Sequence, residues 1–234
     1  MTDAHCHVTG GDPSVREFLI GRDFFGVHPW EAGDLGPEDV RRETEDLKSR
    51  LSSSVSSPAA PLPGVGEIGL DRLKTREISP RMREVFEAQL KLAFEFNRPV
   101  VLHGAKCWGQ VVKTVRQSIE QSNNPNNRTI PSFLFHGFSR SDGLIPDIVA
   151  LGGYISVGPA VLNDHAVNYR ELVKKIPADR LLVETDRTEE NAAECPSVRE
   201  VAAKLAELLG LSLGELEAQT DANAERFRRL KNML

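Results

Sequence analysis

Cysteine is scarce in this chain: Cys6, Cys107 and Cys195 are the only three among 234 residues, and none forms a CxxC pair. An odd, widely spaced set argues against a disulfide framework and fits reduced thiols in a cytoplasmic compartment. The first residues carry no basic flank followed by an apolar run, and no apolar stretch is long enough to cross a bilayer. No membrane association is expected. Positive charge is not in excess either: 29 Lys and Arg against 34 Asp and Glu give a net charge of −5 and a pI of about 5.7. No global field therefore draws the chain onto nucleic acid or an anionic surface, and a polyanionic ligand has to be met locally, by a metal or a few cations.

What is present is an alternation. Short β-rich runs, DAHCHV at 3–8, DFFGVH at 23–28, GVGEIGLD at 64–71, RPVVLHG at 98–104, SFLFHGF at 132–138, GGYISVG at 152–158 and RLLVETD at 180–186, are separated by longer segments. Between them, 82–97 places Val85, Phe86, Leu90, Ala93 and Phe94 on one helical face, and 108–121 and 141–152 read as further helices, with Pro146 in a first turn. The C-terminal tail is helical with a break at Gly210, followed by Ser212 and Glu215 as a capping box. The Ser- and Pro-rich stretch at 51–63 and the Asn-rich stretch at 123–131 read as surface loops. This rhythm is that of a parallel sheet with crossover helices, an α/β fold of TIM-barrel type in a single domain over 1–234, with seven strands visible.

The strand ends carry the chemistry. His5 and His7 stand two apart, so on a strand both imidazoles face the same side. Glu67 lies in the third run, His103 closes the fourth, His136 the fifth and Asp186 the seventh. In a parallel barrel such ends converge on one mouth. Taken singly, each residue has an ordinary structural explanation; taken together, imidazoles and carboxylates at five strand ends point to a divalent-metal centre, with Zn²⁺ or Mn²⁺ suited to the mixture and Mg²⁺ favouring its carboxylates.

At these residues the sequence resembles the TatD family of metal-dependent hydrolases. The resemblance runs in order through AHCH, GVHPW, GVGEIGLD, PVVLH, FHGFS, YISVGP and LLVETD to NAERF at 223–227. It implies a TIM-barrel-type fold, one or two divalent ions (Zn, Mn or Mg) and hydrolysis of phosphodiester bonds in DNA. It also implies that His5, His7, Glu67 and Asp186 hold one ion and Glu67, His103 and His136 a second, with Glu67 the bridge and Asp186 the base. Departures accompany it. Family members carry a further βα unit between HCH and GxHP, whereas twenty residues separate His7 from His28 here, room for one helix at most; an incomplete or distorted barrel of a shortened branch is expected. Trp30 stands where the family has a second histidine, HGAK replaces the H-x-R pattern, and ETDRTEE follows the last strand. On the substrate side, His28, Lys106 and Arg140 are the candidates, with Arg187 comparable, Trp30 and Trp108 as stacking surfaces, and Asp71 as a support for Glu67 or a ligand histidine. Hydrolysis of another ester, a lactone or an amide, and a non-catalytic binding relative, are the alternatives.

Overall fold

The computed structural model describes residues 1–53, 62–122 and 130–229; most of the two expected loops, at 54–61 and 123–129, lies outside the described residues. The chain forms two compact units, Met1–Gly21 with Phe135–Phe227, and Arg22–Leu134 with the residues from Arg228 onward.

The first unit begins with β1 (Thr2–Cys6) and β2 (Arg16–Leu19), paired in parallel with Thr2 opposite Arg16 and Cys6 opposite Leu19. Strand β2 corrects the expectation of seven strands, because eight are present among the described residues. Its sequence, REFL, contains no β-branched residue and opens on two charges, so neither alternation nor propensity marks it. Parallel neighbours usually need a crossover of a dozen or more residues, often helical. Here residues 7–15 make that connection without a helix. The shortening thus removes the crossover helix and keeps the strand.

The second unit carries β3 (Phe24–Phe25), α1 (Pro29–Ala32), α2 (Pro37–Ser53), β4 (Gly64–Asp71), α3 (Pro80–Glu95), β5 (Val100–Ala105) and α4 (Trp108–Gln121), and β6 (Phe133–Phe135) begins at its end. Strand β4 pairs in parallel with β3 and β5, and all eight of its residues are buried. Burial on both faces explains its lack of alternation and places Glu67 and Asp71 inside the protein. Gly69 is dictated by this packing: its φ is +148°, and a Cβ there would lie 2.1 Å from the His103 carbonyl oxygen. Helix α3 starts where Ser79 Oγ accepts from Met82 N, with Pro80 in the first turn, and it buries the expected face of Val85, Phe86, Leu90, Ala93 and Phe94. Helix α2 was not expected, since Val40, Leu47 and Leu51 are its only buried apolar residues. Buried Arg98 donates to the Leu51 carbonyl near its C-terminal end, which complements the helix dipole.

The first unit resumes with α5 (Ile145–Ala150), β7 (Tyr154–Val157), α6 (Val167–Val173), β8 (Leu181–Val183), α7 (Val198–Leu209) and α8 (Leu213–Arg228). Strands β7 and β8 run parallel, with Ile155 opposite Leu181. Gly210 ends α7 in the left-handed conformation, and Ser212 with Glu215 forms the expected capping box of α8. Buried Asn223 donates to the Ala178 and Leu181 carbonyls, while Phe227 packs on Phe18 and Tyr154, so the NAERF segment anchors α8 to β8 and β2. Among the described residues, no helix is long and apolar enough to cross a membrane.

Candidate metal centre

In the first unit, His5 is fully buried at the end of β1 and His7 follows it, with the two rings edge to face at 5.1 Å. Asp186 brings Oδ1 to 3.4 Å from His5 Nε2 and 3.7 Å from His7 Nε2, and the His136 ring lies 4.1 Å from that of His5. One ligand atom each from His5, His136 and Asp186 falls within a 4.8 Å span. Backbone bonds hold this arrangement: Asp186 N donates to the His5 carbonyl, and His7 N and Val8 N donate to that of Arg187. Asp186 adopts φ +50°, a left-handed conformation uncommon outside glycine, and the backbone bond to His5 fixes it there. Below them, the buried Asp3 carboxylate accepts from Thr185 N, Thr185 Oγ1 and His5 N, tying β1 to the segment after β8; burial pushes its pKa up to about 6.

Glu184 is a member of this unit that the sequence reading passed over. It is buried and accepts from Gly137 N at 2.7 Å and Ser156 Oγ at 2.5 Å, with Oε1 3.9 Å from His136 Nδ1. Burial pushes it up to about 8. The signal was available: a carboxylate two residues before Asp186 at a strand end faces the same side. A cavity of about 770 Å³ opens beside these groups, lined in part by Ser139, Arg140, Tyr169, Asp186 and Asn191. Arg140 therefore stands where a substrate could meet it. Arg187 is not among the residues lining this cavity, and its guanidinium donates to the Ala192 and Cys195 carbonyls.

In the second unit, Glu67 Oε1 lies 2.5 Å from His103 Nδ1 and 3.3 Å from His28 Nε2. The other nitrogen of His103 lies 2.9 Å from Asp71 Oδ2, which also accepts from Trp30 Nε1 at 2.8 Å. A histidine whose Nε2–H faces a carboxylate presents Nδ1 for ligation, the usual support of a metal-bound imidazole. Burial disfavours the charged ring, but the bonds to Asp71 and Glu67 outweigh it and raise His103 to about 9. Asp71 is buried, which alone would raise it, yet His103, Trp30 and the Lys74 amide hold it well below the usual carboxylate range. His28 caps α1, its Nδ1 accepting from Trp30 N, which turns Nε2 toward Glu67. One ligand atom each from His28, Glu67 and His103 thus falls within a 4.8 Å span. Lys106 is exposed one residue beyond β5 at φ +56°, and Trp108 is buried against Gly104, leaving Trp30 as the exposed indole at 45 %.

The donor chemistry in both units, imidazole nitrogens beside carboxylate oxygens with one histidine backed by a second carboxylate, fits a divalent metal ion. Comparison with known proteins agrees with this chemistry. The family profile described as TatD related DNase matches residues 21–229. An uncharacterized metal-dependent hydrolase of Bacillus subtilis, YabD, is 28% identical over 232 residues, covering 95% of this chain and 83% of its own. A protein of Edwardsiella piscicida named 3'-5' ssDNA/RNA exonuclease TatD is 28% identical over 158 residues, 67% of this chain and 57% of its own. The crystal structure of the TatD homologue YjjV from Escherichia coli superposes with a TM-score of 0.66 at 23% identity, over 93% of this chain and 78% of that one, and shows the α/β barrel-type fold. With a family match across both units, the chain belongs to the TatD family of metal-dependent hydrolases.

Proposed function

We propose that the chain is one catalytic domain, acting in the cytoplasm, that hydrolyses phosphodiester bonds of single-stranded DNA. The observation that carries this reading is the pair of imidazole and carboxylate clusters at strand C-termini, one of them opening on a cavity with an arginine on its wall. The name of the Edwardsiella relative supports nucleic acid as substrate. In this reading the residues that would hold divalent metal are His5, His7, His136 and Asp186 in the first unit and Glu67 and His103 in the second. A divalent ion supplies concentrated positive charge, which makes a nearby water more acidic and offsets charge on the phosphate oxygens.

Asp186, half-exposed beside the cavity, takes the proton of the attacking water. The water oxygen bonds to phosphorus as the bond to the leaving sugar oxygen breaks, and that oxygen collects a proton from solvent. Arg140 meets a non-bridging phosphate oxygen, and Lys106 adds a point charge. The test is cleavage of a short single-stranded oligonucleotide after metal stripping and readdition of Mg²⁺, Mn²⁺ or Zn²⁺, beside a panel of small esters, lactones and amides. Metal-dependent cleavage that Glu67→Ala abolishes, without turnover of the small substrates, is expected. Turnover of the panel with no cleavage of any nucleic acid would overturn the proposal.

A further inference from the structure

Trp30 stands exposed in the GVHPW segment, its ring edge to face with that of His28 at 4.5 Å, and two further contacts fix it. Its indole N–H is held by Asp71, and Lys74 places Nζ 3.7 Å from the centre of its ring. Asp71 fixes both partners, because its other oxygen accepts from Leu73 N and Lys74 N. The same carboxylate holds His103, so the ring and the metal-ligand cluster share one anchor. Lys74 belongs to a basic segment: the exposed residues of 72–77 include Arg72, Lys74 and Arg76 against Glu77, and Arg72 N bonds the Ala105 carbonyl beside exposed Lys106, while the exposed acidic residue next to the indole is Glu31. In a chain of net charge −5 this is a local reversal of sign.

We infer that Trp30 and Lys74 form a docking ledge for single-stranded nucleic acid, on which one unpaired base stacks beside the metal ligands; this rests on the function proposed above. An exposed indole beside a basic segment is the combination that single-strand sites use, aromatic face for the base and ammonium or guanidinium for the phosphates. The flexible Lys74 stem lets its ammonium leave the ring for a phosphate as a base takes its place over the indole. A base still paired and stacked in a duplex has no free face to offer, so the ledge selects unpaired ends and single strands.

Binding of a labelled oligothymidylate, read by anisotropy in EDTA, tests the ledge apart from catalysis. The wild type is expected to bind the single strand better than a duplex of equal length, and Trp30→Ala to bind it roughly five- to a hundredfold more weakly. Trp30→Phe keeps a ring and is expected to retain most of the affinity while losing the indole quenching expected of the wild type, whose other tryptophan, Trp108, is buried. Lys74→Gln is expected to lower the slope of log affinity against log salt by about 0.7, one phosphate contact on a single strand. An RNA oligomer of the same length, as a parallel arm, distinguishes a deoxyribose preference from stacking alone. Absence of binding, or Trp30→Ala and Lys74→Gln variants with wild-type affinity and salt slope, overturns the ledge. Cleavage by those variants at wild-type rates would leave the proposed activity standing without it. Binding through the ledge with no cleavage in any metal would do the reverse.

Discussion

Asp71→Asn changes a single atom pair and should damage both stability and metal affinity. The buried carboxylate accepts four hydrogen bonds: from His103 Nε2 and Trp30 Nε1 at one oxygen, and from Leu73 N and Lys74 N at the other. An amide has only one oxygen, and in either orientation its NH₂ group faces two donors. Two bonds to a charged acceptor are lost, about 1.5 to 3 kcal/mol each, so a loss near 3 to 6 kcal/mol is expected before relaxation. That is a large share of the roughly 5 to 15 kcal/mol that stabilises a folded protein. His103 also loses the partner that directs Nδ1 toward Glu67, and loss of such support typically costs ten- to a hundredfold in metal affinity. Urea denaturation of the stripped variant gives the first quantity and calorimetric titration with Mn²⁺ or Zn²⁺ the second. A loss under about 1 kcal/mol with unchanged metal affinity would refute the reasoning.

Two further outcomes follow from packing. Gly69→Ala, which drives a Cβ to 2.1 Å from the His103 carbonyl oxygen at a positive φ, should cost more than about 4 kcal/mol or abolish soluble expression, and a near-neutral urea midpoint would contradict the backbone described. Cys107 is buried, donates to the Leu70 carbonyl and is pushed up to about 12, so at pH 8 a thiol reagent should label half-buried Cys195 first and reach Cys107 only on unfolding, as peptide mass mapping can check.

Much of this molecule is legible in its sequence because the relevant signals are local. The period of 82–97, Ser212 with Glu215, and the polar residues closing β-rich runs need no knowledge of partners. Strand β2 escaped because REFL takes its strand character from pairing with β1, not from its own residues. Helix α2 escaped because its apolar residues are few, Val40, Leu47 and Leu51 in a strongly charged segment, so little in it reads as a core-facing stripe. At the site, residue types and strand-end positions were visible, whereas the bonds among them were not. That His28 turns its Nε2 toward Glu67, that Arg187 is occupied by loop carbonyls, and that Asp71 joins Trp30 to His103 are tertiary facts between residues distant in sequence. Glu184 lay between both cases, readable from its spacing to Asp186 yet sensed only once Gly137 and Ser156 are seen to bond it.

The central claim is that residues at the strand ends hold divalent metal, and equilibrium titration of stripped protein tests it most directly. The account predicts saturable binding of Mn²⁺ or Zn²⁺ to the wild type, weakened at least about tenfold by His5→Ala and by His7→Ala, with the far-UV spectrum of each variant unchanged. Wild-type affinity in either variant would contradict the assignment of the His5 and His7 pair, and a stripped wild type that takes up no divalent ion would contradict the centre itself.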